Sequence, residues 1–113
     1  MSFDGDRKAG GAVDRPLPSS QRRTFLEVLH QVVGETQPGV RSGLVARQGC
    51  PVLFVFNSAN VALFADVGCD FDAATGWSFT WAENGCSIGP VEDASRVAAS
   101  IARALRVAAE PRP

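Results

Sequence analysis

The chain reads as an α+β protein, a two-layer sandwich in which an antiparallel sheet of about four strands carries an N-terminal and a C-terminal helix on one face. Three observations predict it. Trp77, Phe79 and Trp81 alternate with the small Ser78 and Thr80, the period-two pattern of a strand. Val52-Leu53-Phe54-Val55-Phe56 is a short, β-favouring run of large apolar residues, which suits a strand buried on both faces. At either end an apolar stripe recurs at helical spacing, Phe25, Leu26, Leu29, Val32 and Val33 first, then Ala94, Val97, Ala98, Ile101, Leu105 and Ala108. Short connections between the strands favour antiparallel pairing.

Residues 1–18 hold Gly5, Gly10, Gly11, Pro16 and Pro18 with few large apolar groups. Such a segment buries too little surface to offset ordering entropy and is expected to be a disordered tail ahead of a single domain over 19–110. Ser19 or Ser20 can cap the first helix, which is expected to run to Val33 and stop at Gly34. Gln37-Pro38-Gly39 is a turn, and Val40–Gln48 alternates weakly as a strand interrupted at Gly43. A turn over Gln48–Pro51 leads into the apolar strand Val52–Phe56.

Residues 57–69 carry two patterns. Val61, Leu63, Ala65 and Val67 alternate as in an edge strand, whereas Asn60 and Gly68 stand where the two ends of a short helix belong. The punctuation favours the helix. A loop then precedes the strand Gly76–Ala82, and Asn84-Gly85 provides the positive φ angles of a tight turn. Cys86–Ile88 forms a short strand broken at Gly89-Pro90, and Asp93 caps a last helix over Ala94–Ala109.

A sheet with both helices on one face leaves its other side open. Phe54 must point one way from its strand while Leu53 and Val55 point the other. With Leu53 and Val55 assigned to the open side, three covers are possible: the segment over 57–69, a ligand, or a protein, either a second copy or a larger partner. An exposed apolar sheet face is unusual in a monomer, so protein contact leads. The candidate interaction residues are therefore Leu53, Val55, Trp77, Phe79 and Trp81, although for Trp77 and Trp81 a place in the core beneath two helices is the favoured reading.

Charge is unevenly spread. Residues 49–93 contain six acidic groups and no basic one, whereas the arginines lie toward the two ends. Arg96, Arg103, Arg106, Arg22 and Arg23 raise an anionic partner, but a pI near 5.7 disfavours nucleic acid. Intramolecular neutralisation of the acidic middle is the simpler reading.

No cofactor, metal or catalytic set is called for. His30 is the sole histidine, and Cys50, Cys69 and Cys86 lack the close spacing of zinc ligands. Asp66, Asp70, Asp72 and Glu83 depart from the calcium-loop pattern. The first eighteen residues have no apolar signal core, and no apolar run approaches the ~20 residues that span a bilayer. Cytoplasmic location with reduced thiols is the expectation. Ten arginines against one lysine suit a GC-rich bacterial source.

Trp77–Trp81, the run Ile88-Gly89-Pro90-Val91-Glu92-Asp93 and the helix ending in Ala102–Leu105 together resemble small uncharacterised actinobacterial proteins over the last third of the chain. The resemblance implies no activity. The expected function is that of a non-enzymatic accessory or regulatory protein acting by protein–protein contact, as a homodimer or by docking on a larger partner. In shape it is similar to helix-flanked sheet proteins such as secretion chaperones. The rival is a small-molecule binder or minor biosynthetic enzyme. Its pocket would lie between sheet and helices, lined by Trp77, Phe79 and Trp81, with Cys69 or Asp66 as the polar group.

Overall fold

The computed structural model describes residues 18–107, so the tail expected over 1–18 lies outside the described residues but for Pro18. The order is α1 (Pro18–Thr36), β1 (Val40–Arg47), β2 (Cys50–Asn57), β3 (Asn60–Asp72), β4 (Gly76–Trp81), β5 (Ser87–Pro90) and α2 (Ala94–Ala104). The five strands form one antiparallel meander in sequence order. Both helices pack on the same side, α1 over β1 and β2, α2 toward β5, and they touch each other. The α+β sandwich is as the sequence predicts, with five strands rather than about four.

The additional strand is β3, where the helix suggested by Asn60 and Gly68 does not form. Asn57 accepts from the Ala59 and Asn60 amides, and Asn60 accepts from the Ala62 amide, so both asparagines serve turns. A strand here is paired on both sides, with β2 and β4, and that ladder outweighs one short helix.

Helix boundaries also move. α1 passes through the exposed Gly34, and Thr36 closes its last turn by donating to the Val32 carbonyl at 2.7 Å. It stops before Gln37 because Pro38 disfavours helical backbone at the residue preceding it. α2 ends at Ala104 rather than Ala109. Arg106 adopts a left-handed φ of 59°, its amide bonds to Arg103 O, and the Val107 amide bonds to Ala102 O. That is the Schellman arrangement, built with arginine where glycine is usual. Asp93 flanks α2 without a side-chain cap bond and instead approaches Arg96 at 3.7 Å. β5 continues through Gly89-Pro90, which an edge strand tolerates because one side needs no donor.

The β1–β2 hairpin turns on Gln48 and Gly49, both at positive φ (53° and 82°), the two-residue geometry that matches strand twist. The core lies between sheet and helices. Leu26, Leu29 and Val33 of α1 and Val97, Ala98 and Ile101 of α2 meet Leu53, Val55, Val67, Cys69 and Phe79 of the sheet.

Candidate interaction surface

Strand register decides which side chains face the helices. Ser42 meets His30 of α1 at 2.7 Å, so the even positions of β1 point to the helix layer. Pairing carries this across the sheet: Leu44 opposes Leu53, Leu53 opposes Val67, and Val67 opposes Trp81. Leu53, Val55, Val67, Cys69 and Phe79 are thus covered by the helices within one chain.

Leu53 and Val55 are 0% exposed, which corrects their assignment to the open side. The phenylalanines that alternate with them take that place. Trp77 and Trp81 share the helix side and are partly buried against the core. The Trp77 ring contacts Phe25 and Phe71, each with centroids 5.5 Å apart, and the Arg22 guanidinium lies 6.0 Å from its centroid. These five residues therefore belong to the helix–sheet layer, and none of them lies on the helix-free face.

That other face carries an aromatic cluster. Phe54 touches Phe56 along β2, with centroids 5.6 Å apart, and Phe64 across on β3, at 5.8 Å. Phe64 is 60% exposed, whereas Phe54 and Phe56 are half-buried. Arg47 reaches along β1 until its guanidinium sits 5.8 Å from the Phe54 centroid. Its Nε donates to Asp66 Oδ2 at 3.0 Å and its Nη2 to Oδ1 at 3.4 Å, a forked ion pair at the edge of the rings. Arg47, Phe54, Phe64, Asp66, Ala82 and Glu83 line a shallow cleft of about 310 Å³.

The remaining polar candidates are dispersed. Asp70 accepts from Thr80 Oγ1 at 2.9 Å and lies 3.8 Å from Arg22. Arg23 pairs with Glu27, and Arg103 donates to Ser100. Among the described residues no three His, Cys, Asp or Glu side chains gather as a metal would require. Cys50 and Cys86 are exposed and Cys69 is buried, all as free thiols. Burial pushes the Cys69 thiol up from 9.0 to about 12; Arg22 offsets part of that rise and Asp70 adds to it. A nucleophile needs its thiolate, so this sulfur is a core group. For the pocket envisaged between sheet and helices, Cys69 and Phe79 are packed in the core, and Asp66 points away from it to the open face.

The open-face cluster was hidden in the sequence because period two defines two faces without saying which one the helices cover. One signal was present. Asn57 has the parity of Leu53 and Val55, and an asparagine that caps its own turn can be satisfied inside. No described helix is long and apolar enough to cross a membrane. No protein-family model matches the chain, and neither curated proteins nor solved structures match it.

Proposed function

We propose that this chain is a non-enzymatic accessory or regulatory protein that works by protein–protein contact through the helix-free face of its sheet. The observation that carries the reading is the Phe54–Phe56–Phe64 cluster on the side of the sheet opposite the buried Leu53 and Val55, with Phe64 60% exposed and Arg47 and Asp66 paired at its rim. Rings at the centre with charged groups at the rim are the composition of a protein-binding patch. Three free thiols suit a reducing, cytoplasmic setting.

Site-specific photo-cross-linking tests it. A benzophenone amino acid replaces Phe64 in cells of the source organism, with the same group at the exposed Val28 of α1 as control. A discrete protein adduct at position 64 and none at position 28 is expected. Absence of any adduct at 64, or equal labelling at both positions, overturns the proposal.

A further inference from the structure

We propose that the free edge of β1 is a contact surface of its own, where an acidic, extended segment of another protein adds to the sheet as a sixth strand, antiparallel to β1. It does not rest on the ring cluster.

The sheet has two edges, and they are built differently. β5 is four residues long, ends on Pro90 and loses register with β4 between Phe79 and Thr80. Short length, proline and a register break are common means by which an edge strand avoids further pairing. β1 has none of them. Its eight residues contain no proline and pair with β2 in unbroken register, from Val40–Asn57 to Arg47–Cys50.

Hairpin geometry decides which backbone groups of β1 are free. The two-residue turn at Gln48-Gly49 makes Arg47–Cys50 a hydrogen-bonded pair, and such pairs recur at every second residue. Val45, Gly43 and Arg41 therefore bond to β2. Gly39, of the same parity, accepts from the Ser58 amide, whereas the Val40 amide bonds off the sheet to Gln37 O. Ser42, Leu44 and Ala46 turn N–H and C=O outward, and these groups take no partner among the described residues. Ser42 and Leu44 are half-buried and Ala46 is exposed, so the row is open to solvent.

An incoming strand finds room beside that row. Leu44, Val45 and Ala46 line a depression of about 350 Å³ together with Pro51 of β2 and Ser20 and Arg23 of α1. Neighbours on a strand point to opposite faces, so three in succession share one depression where it runs along the edge.

Charge selects the strand. Arg41 is exposed and forms no ion pair among the described residues, whereas Arg47 is held by Asp66. Directly opposed residues share a face, and they approach most closely at a non-hydrogen-bonded pair, the kind Arg41 makes with an added strand. A carboxylate opposite Arg41 is favoured there. A second β1 carries no acid and offers Arg41 none in any register. Apolar residues alternating with the acids point to the helix side, toward Leu44 and the depression.

The probe is a capped octapeptide of alternating aspartate and valine, added at about 1 mM to the full chain. By NMR, solvent exchange of the Ser42, Leu44 and Ala46 amides should be fast in the free chain. It should slow about fivefold with the peptide, the factor expected for a Kd of ~0.25 mM. The Arg41, Gly43 and Val45 amides, already bonded to β2, should not change. A lysine–valine counterpart should have no effect, and Arg41→Glu should reverse the preference, with circular dichroism establishing that this exposed variant is folded. N-methylation of the valine amides, which face β1, should abolish the slowing, and N-methylation of the aspartate amides, which face away, should not.

Slow exchange of the three amides in the free chain overturns the proposal. So does equal slowing by both peptides, no slowing by the acidic one, or slowing that persists when the valine amides are methylated. Slowing that grows with protein concentration and needs no peptide gives the edge to a second copy, and overturns it too. The cross-link expected at position 64 depends on none of these results.

Discussion

The side-chain nitrogen of Asn57 donates to the carbonyl oxygen of Leu105 over 2.9 Å, joining the β2–β3 turn to the end of α2. The last carbonyls of a helix have no partner within it, and here one is supplied from the sheet. Asn57 is 6% exposed and also accepts from two turn amides, so donor and acceptor are both used.

Asn57→Asp keeps the size and the acceptor but sets a carboxylate against the Leu105 oxygen at the negative end of a helix. A loss of about 2–4 kcal/mol is expected near neutral pH. Burial and the facing carbonyl raise the folded pKa of the introduced acid above its unfolded value, so the native state favours its protonated form. The deficit relative to wild type should therefore narrow as pH falls and widen as it rises. Urea titrations of both proteins across the acid range check this, and a deficit independent of pH would contradict it.

Gly39 admits Val107. A Cβ at position 39 would lie 2.5 Å from Val107 Cγ1, and valine is stiff at χ1. Gly39→Ala should cost about 1–3 kcal/mol by overpacking, and Val107→Ala should recover part of that loss. Thermal melts of the two singles and the double give the coupling. Strict additivity would show that Val107 does not hold this position in solution.

Arg22 fills a gap that a proline leaves in the β2–β3 ladder. Ala82 donates to Asp66 O, which turns the even backbone groups of β3 toward β4 and the odd ones, Cys69 included, toward β2. Continuing the register from the Leu53–Val67 pair sets Pro51 opposite Cys69, and proline has no amide hydrogen. Arg22 Nε donates to the Cys69 carbonyl instead, at 2.6 Å. Arg22→Met should cost about 1–3 kcal/mol, and Arg22→Lys should restore only part because an ammonium lacks the fork that also reaches Asp70. In a Pro51→Ala background, where the amide is present, Arg22→Met should cost less. A double-mutant cycle by urea titration reads the coupling, and equal costs in both backgrounds would refute the substitution of one donor for the other.

Cys69 should resist modification. Of the three thiols, the exposed Cys50 and Cys86 should react with a disulfide reagent in the folded protein, and the third only after unfolding. Because burial raises the folded pKa from 9.0 to about 12, the unfolded chain ionises first as pH rises. The contribution of this thiol is complete below pH 9.0 and is lost progressively toward about 12. Wild type should lose more stability over that interval than Cys69→Ala. Rapid labelling of three thiols in the native protein would place Cys69 at the surface.

Local pattern was enough for most of the elements. The alternation of Trp77, Phe79 and Trp81, the apolar run at Val52–Phe56 and the stripe from Ala94 to Leu105 each define an element whose period survives folding. Asn60 and Gly68 misled because the punctuation of a short helix uses the same residues as turns and close strand contacts. Only pairing with β2 and β4 together selects the strand, and neither partner is local to residues 60–72.

Composition and periodicity thus settled the class of fold and the identity of the strand with two apolar faces. They were silent on which of those faces the helices would take. That choice belongs to long-range packing. Asn57 anchors the end of α2 from the parity of Leu53 and Val55, and the helix layer follows that side of the sheet. The phenylalanines, one residue out of phase, are left facing outward, since a single step along a strand moves a side chain to the opposite face.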